Sequence, residues 1–247
     1  MTDAKVLPRF LAAGDCALTV EFGNEISEEI NAQVMALKKA LTDGKTGGIT
    51  EAVPTYRSLL VYYDPLQISY AALVRRIKKS LRYTDASSSG KKRIFEIPVC
   101  YGGKYGADLS DVATHTGLSE AAVISRHSAP EYRIYMLGFL PGFAYLGGMD
   151  ESLATPRLDT PREKIPAGAV AIGGRQTGIY PVASPGGWRL IGTTPIAPYD
   201  PERTPSILYN AGDYIRFRPI DEAEFSDIRD RLAQNTYQYL VSEEVDV

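Results

Sequence analysis

Arg157 and Arg162 each stand directly after a proline in PRLDTPREKIPAG, residues 156–168. A guanidinium is a planar fork that grips carboxylate or phosphate through two parallel hydrogen bonds, so two of them in stiffened loops suggest recognition of a small anion. Just upstream, GFLPGFAYLGG (138–148) sets Phe139, Phe143 and Tyr145 among glycines, an aromatic wall for a pocket or an interface. Downstream, GGRQTGIYPVASPGGWRLIGTTP (173–195) threads Arg175, Gln176, Thr177, Tyr180, Ser184 and the chain's only tryptophan, Trp188, between six glycines and three prolines. Proline freezes its neighbours and glycine permits close approach and positive φ, so this stretch reads as a rigid, shaped loop. Its backbone N–H groups, with Gln176, Thr177, Tyr180, Ser184 and Trp188, are expected to bind substrate or nucleotide. Plainer readings stay open: the glycines serve tight corners, Trp188 is core, and either arginine ends in a surface salt bridge.

Standard catalytic patterns are absent. Ser184 lies in VASPG, not in the strained G-x-S-x-G elbow. GGRQTG lacks the lysine with which a phosphate loop grips its ligand. His127, at an expected helix end, is the candidate general acid or base; the alternative is a hydrogen bond or dipole partner at that terminus. With two histidines, two cysteines and neither CxxC nor HExxH, no metal site built by the protein is expected. Cys16 and Cys100, far apart and each in an apolar run, read as two buried thiols.

These residues need a scaffold, and the chain supplies two grammars. CALTVEF alternates like a strand, and a helix with Ile26, Ile30, Val34, Leu37 and Leu41 on one face follows. After DGKTGG come ITEAV and RSLLVYY, then a helix capped by Ser69, then the strand RIFEIPV. Strand, helix, strand, strand, helix, strand is the split βαββαβ, ferredoxin-like arrangement, assigned to residues 1–99 with TDASSSG as a connector. Within 100–247, DLSDVATHTG and LSEAAVISRHS read as two short helices, with Gly117 ending the first and Ser119 capping the second. Then YRIYMLGF, GAVAIGG, TGIYPVA, WRLIGTTP, SILY and DYIRFRPI are spaced like strands of a closed or nearly closed barrel, and a helix from residue 221 packs back on it. The fold class is α+β in two domains.

Composition narrows the partners. Twenty-seven basic against thirty acidic side chains give a net charge of −3, which attracts neither nucleic acid nor anionic membrane. The Arg75, Arg76, Lys78, Lys79 cluster and Lys91, Lys92, Arg93 read as a solvated helix face and a charged linker. The longest uncharged run is too short for a bilayer span of about 20 residues. MTDAKVLPRF lacks the apolar stretch of a secretory signal, so the expected location is the cytoplasm.

GFLPGFAYLGG, TPRLDTPREKIPAGAVAIGGRQTGIYP and SPGGWRLIGTTP, preceded by RHSAPEYRIYMLGF, strongly resemble the smaller subunit of bacterial ATP-dependent 5-oxoprolinase. That family is also called allophanate hydrolase subunit 1, or the sporulation-kinase-inhibitor family. The resemblance is close over residues 120–195 and covers the remainder in outline. It implies a split βαββαβ domain followed by a cyclophilin-like β-barrel. It also implies a heteromer with two further proteins, a larger C component of homologous architecture and a separate A component. Together these would open 5-oxoproline to L-glutamate at the expense of ATP, with a divalent cation, Mg by the chemistry of phosphoryl transfer, bound in the complex. This chain alone would be inactive. One family member instead inhibits a sensor histidine kinase, so a regulatory role is the alternative, and an allophanate or urea-derived amide hydrolase ranks below it. GTTP departs mildly from the family pattern: Thr193 stands where a basic residue is more usual, removing a possible phosphate contact.

Overall fold

A computed structural model describes residues 8–43, 47–82 and 92–244. The first seven residues of MTDAKVLPRF, the middle of DGKTGG, the TDASSSG connector and Lys91 lie outside the described residues. The chain divides into two compact units, Met1–Gly90 and Lys91–Val247.

The first unit is a four-stranded antiparallel sheet with two helices. Its elements run β1 (Arg9–Ala12), β2 (Ala17–Glu21), α1 (Glu28–Asp43), β3 (Ile49–Pro54), β4 (Ser58–Tyr63) and α2 (Tyr70–Leu81), in sheet order β1-β2-β4-β3. Strand alternation sends Leu18, Val20, Leu59 and Val61 to one face, where Val34 and Leu37 of α1 and Leu73 and Ile77 of α2 meet them, all fully buried. Each such aliphatic side chain contributes roughly 1.5–3 kcal/mol on leaving water. Ser69 caps α2 by accepting the Ala72 N–H. The first helix starts later than its apolar spacing predicts: Ser27 caps it by accepting the Ile30 N–H, and Ile26 is left exposed. Cys16 is exposed too, against expectation, whereas Cys100 is buried.

One expected pairing is corrected. The strand at 93–99 does not return to this sheet. It belongs to β5 (Lys92–Tyr101), which lies in the sheet of the second unit, and β1 takes the edge beside β2 instead. The division therefore falls at 90/91 rather than 99/100. The physical reason is visible in β5 itself. Phe95, Ile97 and Val99 join the main core of the second unit, while Ile94, Pro98 and Cys100 between them are also covered. A strand apolar on both sides needs cover on both faces, which a four-stranded sheet with helices on one face does not give.

The second unit is a barrel-like sheet, nearly closed. Two helices follow β5, α3 (Leu109–Thr116) and α4 (Glu120–Ser128), then β6 (Glu131–Leu137), β7 (Ala144–Gly147), β8 (Arg162–Ile165), β9 (Ala169–Gly173) and β10 (Gln176–Ile179). The remainder is β11 (Ser184–Gly186), β12 (Arg189–Thr193), β13 (Tyr214–Ile220), α5 (Glu222–Ala233) and β14 (Val241–Glu244). The main sheet runs β10-β9-β12-β5-β13-β6-β7, with β14 against β5, while β11 and β8 form a separate ribbon. Its ends approach at Gly178 of β10, whose missing Cβ would lie 3.5 Å from the Ala144 oxygen of β7. The helix signals act as expected: Gly117 ends α3 at φ 69°, and Ser119 accepts the Ala122 N–H at the start of α4. SILY is no strand but carries a single bridge, Tyr199 to Ile207, and the last helix stops at Ala233.

Candidate functional site

Five aromatic rings gather on the β7, β10 and β12 side of the second unit. Phe143 is their hub: its centroid lies 5.7 Å from Phe139, 5.1 Å from Tyr145, 6.0 Å from Tyr180 and 5.8 Å from Trp188, every pair edge to face. That arrangement sets positive ring edges on negative ring faces and contributes beyond area burial. Phe143, Tyr180 and Trp188 form a small core with Ile165, Ala169 and Ala171. Phe139 stands at its rim, 69% exposed, with φ of 69°. Left-handed backbone is costly for a bulky aromatic residue and concentrates at binding and catalytic sites.

The glycines around Trp188 make its slot. A Cβ on Gly173 would sit 2.4 Å from the indole Nε1, and one on Gly178 would sit 3.3 Å from Cζ3. The indole lies where β9 and β10 carry no side chain, so the Gly-rich stretch is ordered scaffold with the tryptophan as its anchor. Tyr180 is tied to it, its hydroxyl accepting the Trp188 backbone N–H. Burial raises the Tyr180 pKa, and that hydrogen bond with the Arg157 and Arg162 charges opposes the rise.

The two post-proline arginines have different fates. Arg157 holds its guanidinium 5.8 Å over the Trp188 ring, and among the described residues it has no carboxylate partner. Arg162, at the start of β8, donates to Asp108 Oδ1 at 2.7 Å and approaches the Trp188 carbonyl at 3.5 Å. Asp108 is buried, and its other oxygen accepts the Leu190 N–H at 2.6 Å. It stands where it would cap α3 but makes no side-chain cap bond. Sequence reasoning missed it, because an Asp before a helix reads as a cap. Its carboxylate instead joins β8 to β12 and fixes Arg162 beside the indole.

The remaining expected residues do not all converge. Gln176 is half-buried at the start of β10. Thr177 is buried and points inward, donating to the Ala171 carbonyl at 3.0 Å, so it does not line the aromatic face. Ser184 is buried on β11 opposite Ile165, and its hydroxyl has no hydrogen-bond partner among the described residues. Arg175 is paired with Glu151.

His127, expected at the site's edge as a proton carrier, is corrected: it is wholly buried. Its Nδ1 lies 2.8 Å from the Tyr101 hydroxyl, its Nε2 lies 2.7 Å from the Thr177 hydroxyl, and its ring stacks on Phe217 at 4.6 Å. Since Thr177 donates to Ala171, its oxygen is left to accept from Nε2–H, and Nδ1 accepts from Tyr101. Burial pushes the imidazole down to about 3, which keeps it neutral. Its ring hydrogen bonds run to Tyr101 on β5 and Thr177 on β10, not to the end of α4.

Residues 8–209 match the family described as carboxyltransferase domain, subdomain C and D. The chain is similar to the 5-oxoprolinase B subunit of Bacillus subtilis (strain 168), 41% identical over 222 residues, covering 86% of this chain and 92% of that one. It is 40% identical to the 5-oxoprolinase B subunit of Escherichia coli O157:H7 over 210 residues, 85% of this chain and 94% of the other. Among solved structures it resembles TTHA0988 with TM-score 0.75 and 41% identity, over 83% of this chain but only 40% of that longer one. The motifs around Phe143, Arg157 and Trp188 thus sit in a chain that belongs to the carboxyltransferase subdomain C and D family, within its branch of 5-oxoprolinase B subunits.

Proposed function

We propose that the chain serves as one component of a cytoplasmic, ATP-dependent 5-oxoprolinase, with the larger C component and the separate A component as partners, and that it is inactive alone. The similarity to proteins named as the B subunit of 5-oxoprolinase supports the assignment to such a complex. The observation that carries the site is Arg157: an uncommitted guanidinium over the indole of an aromatic cluster whose rim is an exposed phenylalanine on strained backbone.

Opening a lactam is slow because amide resonance protects the carbonyl, and phosphorylating that oxygen makes a better electrophile for water. The task for protein groups is to hold negative charge as it develops. Arg157 fits this task, having no internal carboxylate to leave, and Trp188 with Phe143 walls its apolar side. Arg162, its charge met by the buried Asp108, holds β8 against β12 beside the indole. ATP with Mg²⁺ would supply the phosphoryl group. Mg²⁺ takes one or two carboxylates when phosphate oxygens complete its shell, and the groups this chain offers fit the anionic end of the nucleotide or substrate. Phe139 is the contact we assign to a partner protein.

The test is reconstitution with the partner proteins and measurement of 5-oxoproline-dependent ATP hydrolysis. Arg157→Ala is expected to lower kcat/KM by at least about tenfold, the loss of one charge-assisted contact. Unchanged activity would remove Arg157 from the reaction.

A further inference from the structure

Three arginines stand around Trp188, and two of them are committed to carboxylates. Arg162 donates to Asp108 at 2.7 Å, and Arg189, the residue after the indole, donates to Asp111 at 3.1 Å. Arg157 has no such partner among the described residues and holds its guanidinium 5.8 Å over the Trp188 ring. The surplus here is therefore one positive charge. The phosphates of a nucleotide are gripped by several cations together, lysine or arginine with Mg²⁺. One planar fork matches one carboxylate.

The next residue supplies a complementary group. Leu158 donates its N–H to the Gly187 carbonyl at 2.7 Å, which pins the loop against Gly187, and its own carbonyl accepts no hydrogen bond among the described residues. That oxygen lies 3.5 Å from where a Cβ on Gly187 would be, with Pro161 Cγ at 3.7 Å and Arg157 Cβ at 3.8 Å. A donor fork, an acceptor carbonyl and an apolar ring thus border one bare stretch of backbone. A backbone carbonyl is a strong acceptor that calls for an N–H. Phosphate oxygens bring none, whereas a lactam acid carries one on the atom next to the carbon that bears its carboxylate.

Building on the oxoprolinase reading above, we propose that this notch seats the substrate rather than the nucleotide: the carboxylate of 5-oxoproline on Arg157, its ring N–H on the Leu158 carbonyl, and its methylenes against Pro161. A carboxylate takes one edge of the fork, so the remaining donors stay available for charge that develops at the ring carbonyl. Hydrolysis turns the ring N–H into an ammonium, which the same carbonyl can accept.

L-5-oxoproline, titrated into the full chain and followed by calorimetry and by the fluorescence of Trp188, tests this. The expected result is one saturable site with Kd on the order of 1 mM or tighter. Cyclopentanecarboxylate, which lacks the N–H, and 2-pyrrolidinone, which lacks the carboxylate, should each bind at least about tenfold more weakly, and Mg·ATP should not displace the ligand. Arg157→Ala, at an exposed position, should weaken binding at least about tenfold, and Arg157→Lys, which keeps the charge and loses the fork, several-fold. Absence of saturation, equal affinity for cyclopentanecarboxylate, displacement by Mg·ATP, or an unaffected Arg157→Ala variant would overturn the proposal. Any of these, beside a reconstituted complex whose ATP hydrolysis still depends on 5-oxoproline, leaves the functional reading standing; binding without such hydrolysis does the reverse.

Discussion

The Nε2 of His127 and the hydroxyl of Thr177 are 2.7 Å apart, a buried contact that joins the last turn of α4 to β10 fifty residues later. Tyr101 holds the other ring nitrogen from the end of β5, and the Tyr132 hydroxyl donates to the His127 carbonyl at 2.7 Å. Strands β5, β6 and β10 meet the last turn of α4 at this one histidine. Removing it as His127→Gln breaks this buried network and is expected to cost about 2–4 kcal/mol in urea unfolding. A cost below about 0.5 kcal/mol would show the network to be incidental.

The same burial makes stability depend on acid. An unfolded His127 takes up a proton near its ordinary value of 6.5, while the folded chain refuses it until about 3. Between those values the unfolded state binds more protons, so stability falls as pH drops through that window and is fully present above it. The residue's share approaches about 1.4 kcal/mol per pH unit near pH 5. Urea unfolding at pH 7 and pH 5 should show a shallower pH dependence in His127→Gln than in the parent.

Asp108 serves two partners from a buried position, so substitutions there should separate them. Asp108→Asn keeps an oxygen for the Leu190 N–H and loses the charge facing Arg162; Asp108→Ala loses both. The expected losses are about 1–2 kcal/mol for the asparagine and about 2–4 kcal/mol for the alanine, since Arg162 is partly solvated. Equal losses would mean that the Leu190 contact contributes nothing.

Gly173 faces the indole too closely for any side chain. Gly173→Ala must displace Trp188 or the β9 backbone, at an expected cost of about 1–3 kcal/mol. Because Trp188 is the only tryptophan, its fluorescence maximum reports the displacement directly. An unshifted spectrum and unchanged stability would show that the slot has slack.

Ser184 carries a buried hydroxyl without a partner among the described residues. Replacing an unsatisfied polar group by a smaller apolar one removes a desolvation penalty, so Ser184→Ala should be neutral or stabilising by up to about 1 kcal/mol. A clear loss of stability would reveal a hydrogen bond to an internal water.

Much of this architecture is legible in the chain, and the failures have physical causes. Helical periodicity and caps place α2 through α4 because Ser69, Gly117 and Ser119 act through local bonds. The short strands β8 and β11 and the edge strands β1 and β14 escape, since three or four residues carry little periodicity and their partners are distant. RIFEIPV reads as a strand and is one, yet it joins the other sheet, because pairing is a tertiary choice that alternation does not encode. At the site, Trp188 with its glycines and Arg157 can be read from residue type alone. Asp108 cannot, because the groups that donate to it lie 54 and 82 residues away. Thr177 and His127 carry the right chemistry for a site, and only burial shows that they spend it on each other.

The parallel pairing of β13 with β5, Tyr214 opposite Ile94 through Ile220 opposite Cys100, sets a timetable for biosynthesis. The first unit finishes its sheet from residues 9–63 and can fold while translation continues. The second must keep an apolar strand waiting for a neighbour that leaves the ribosome more than a hundred codons later, at ordinary speeds a delay of roughly 6–25 s. During that interval the nascent chain presents a sticky half-built cylinder, the stage at which a chaperone has most to protect.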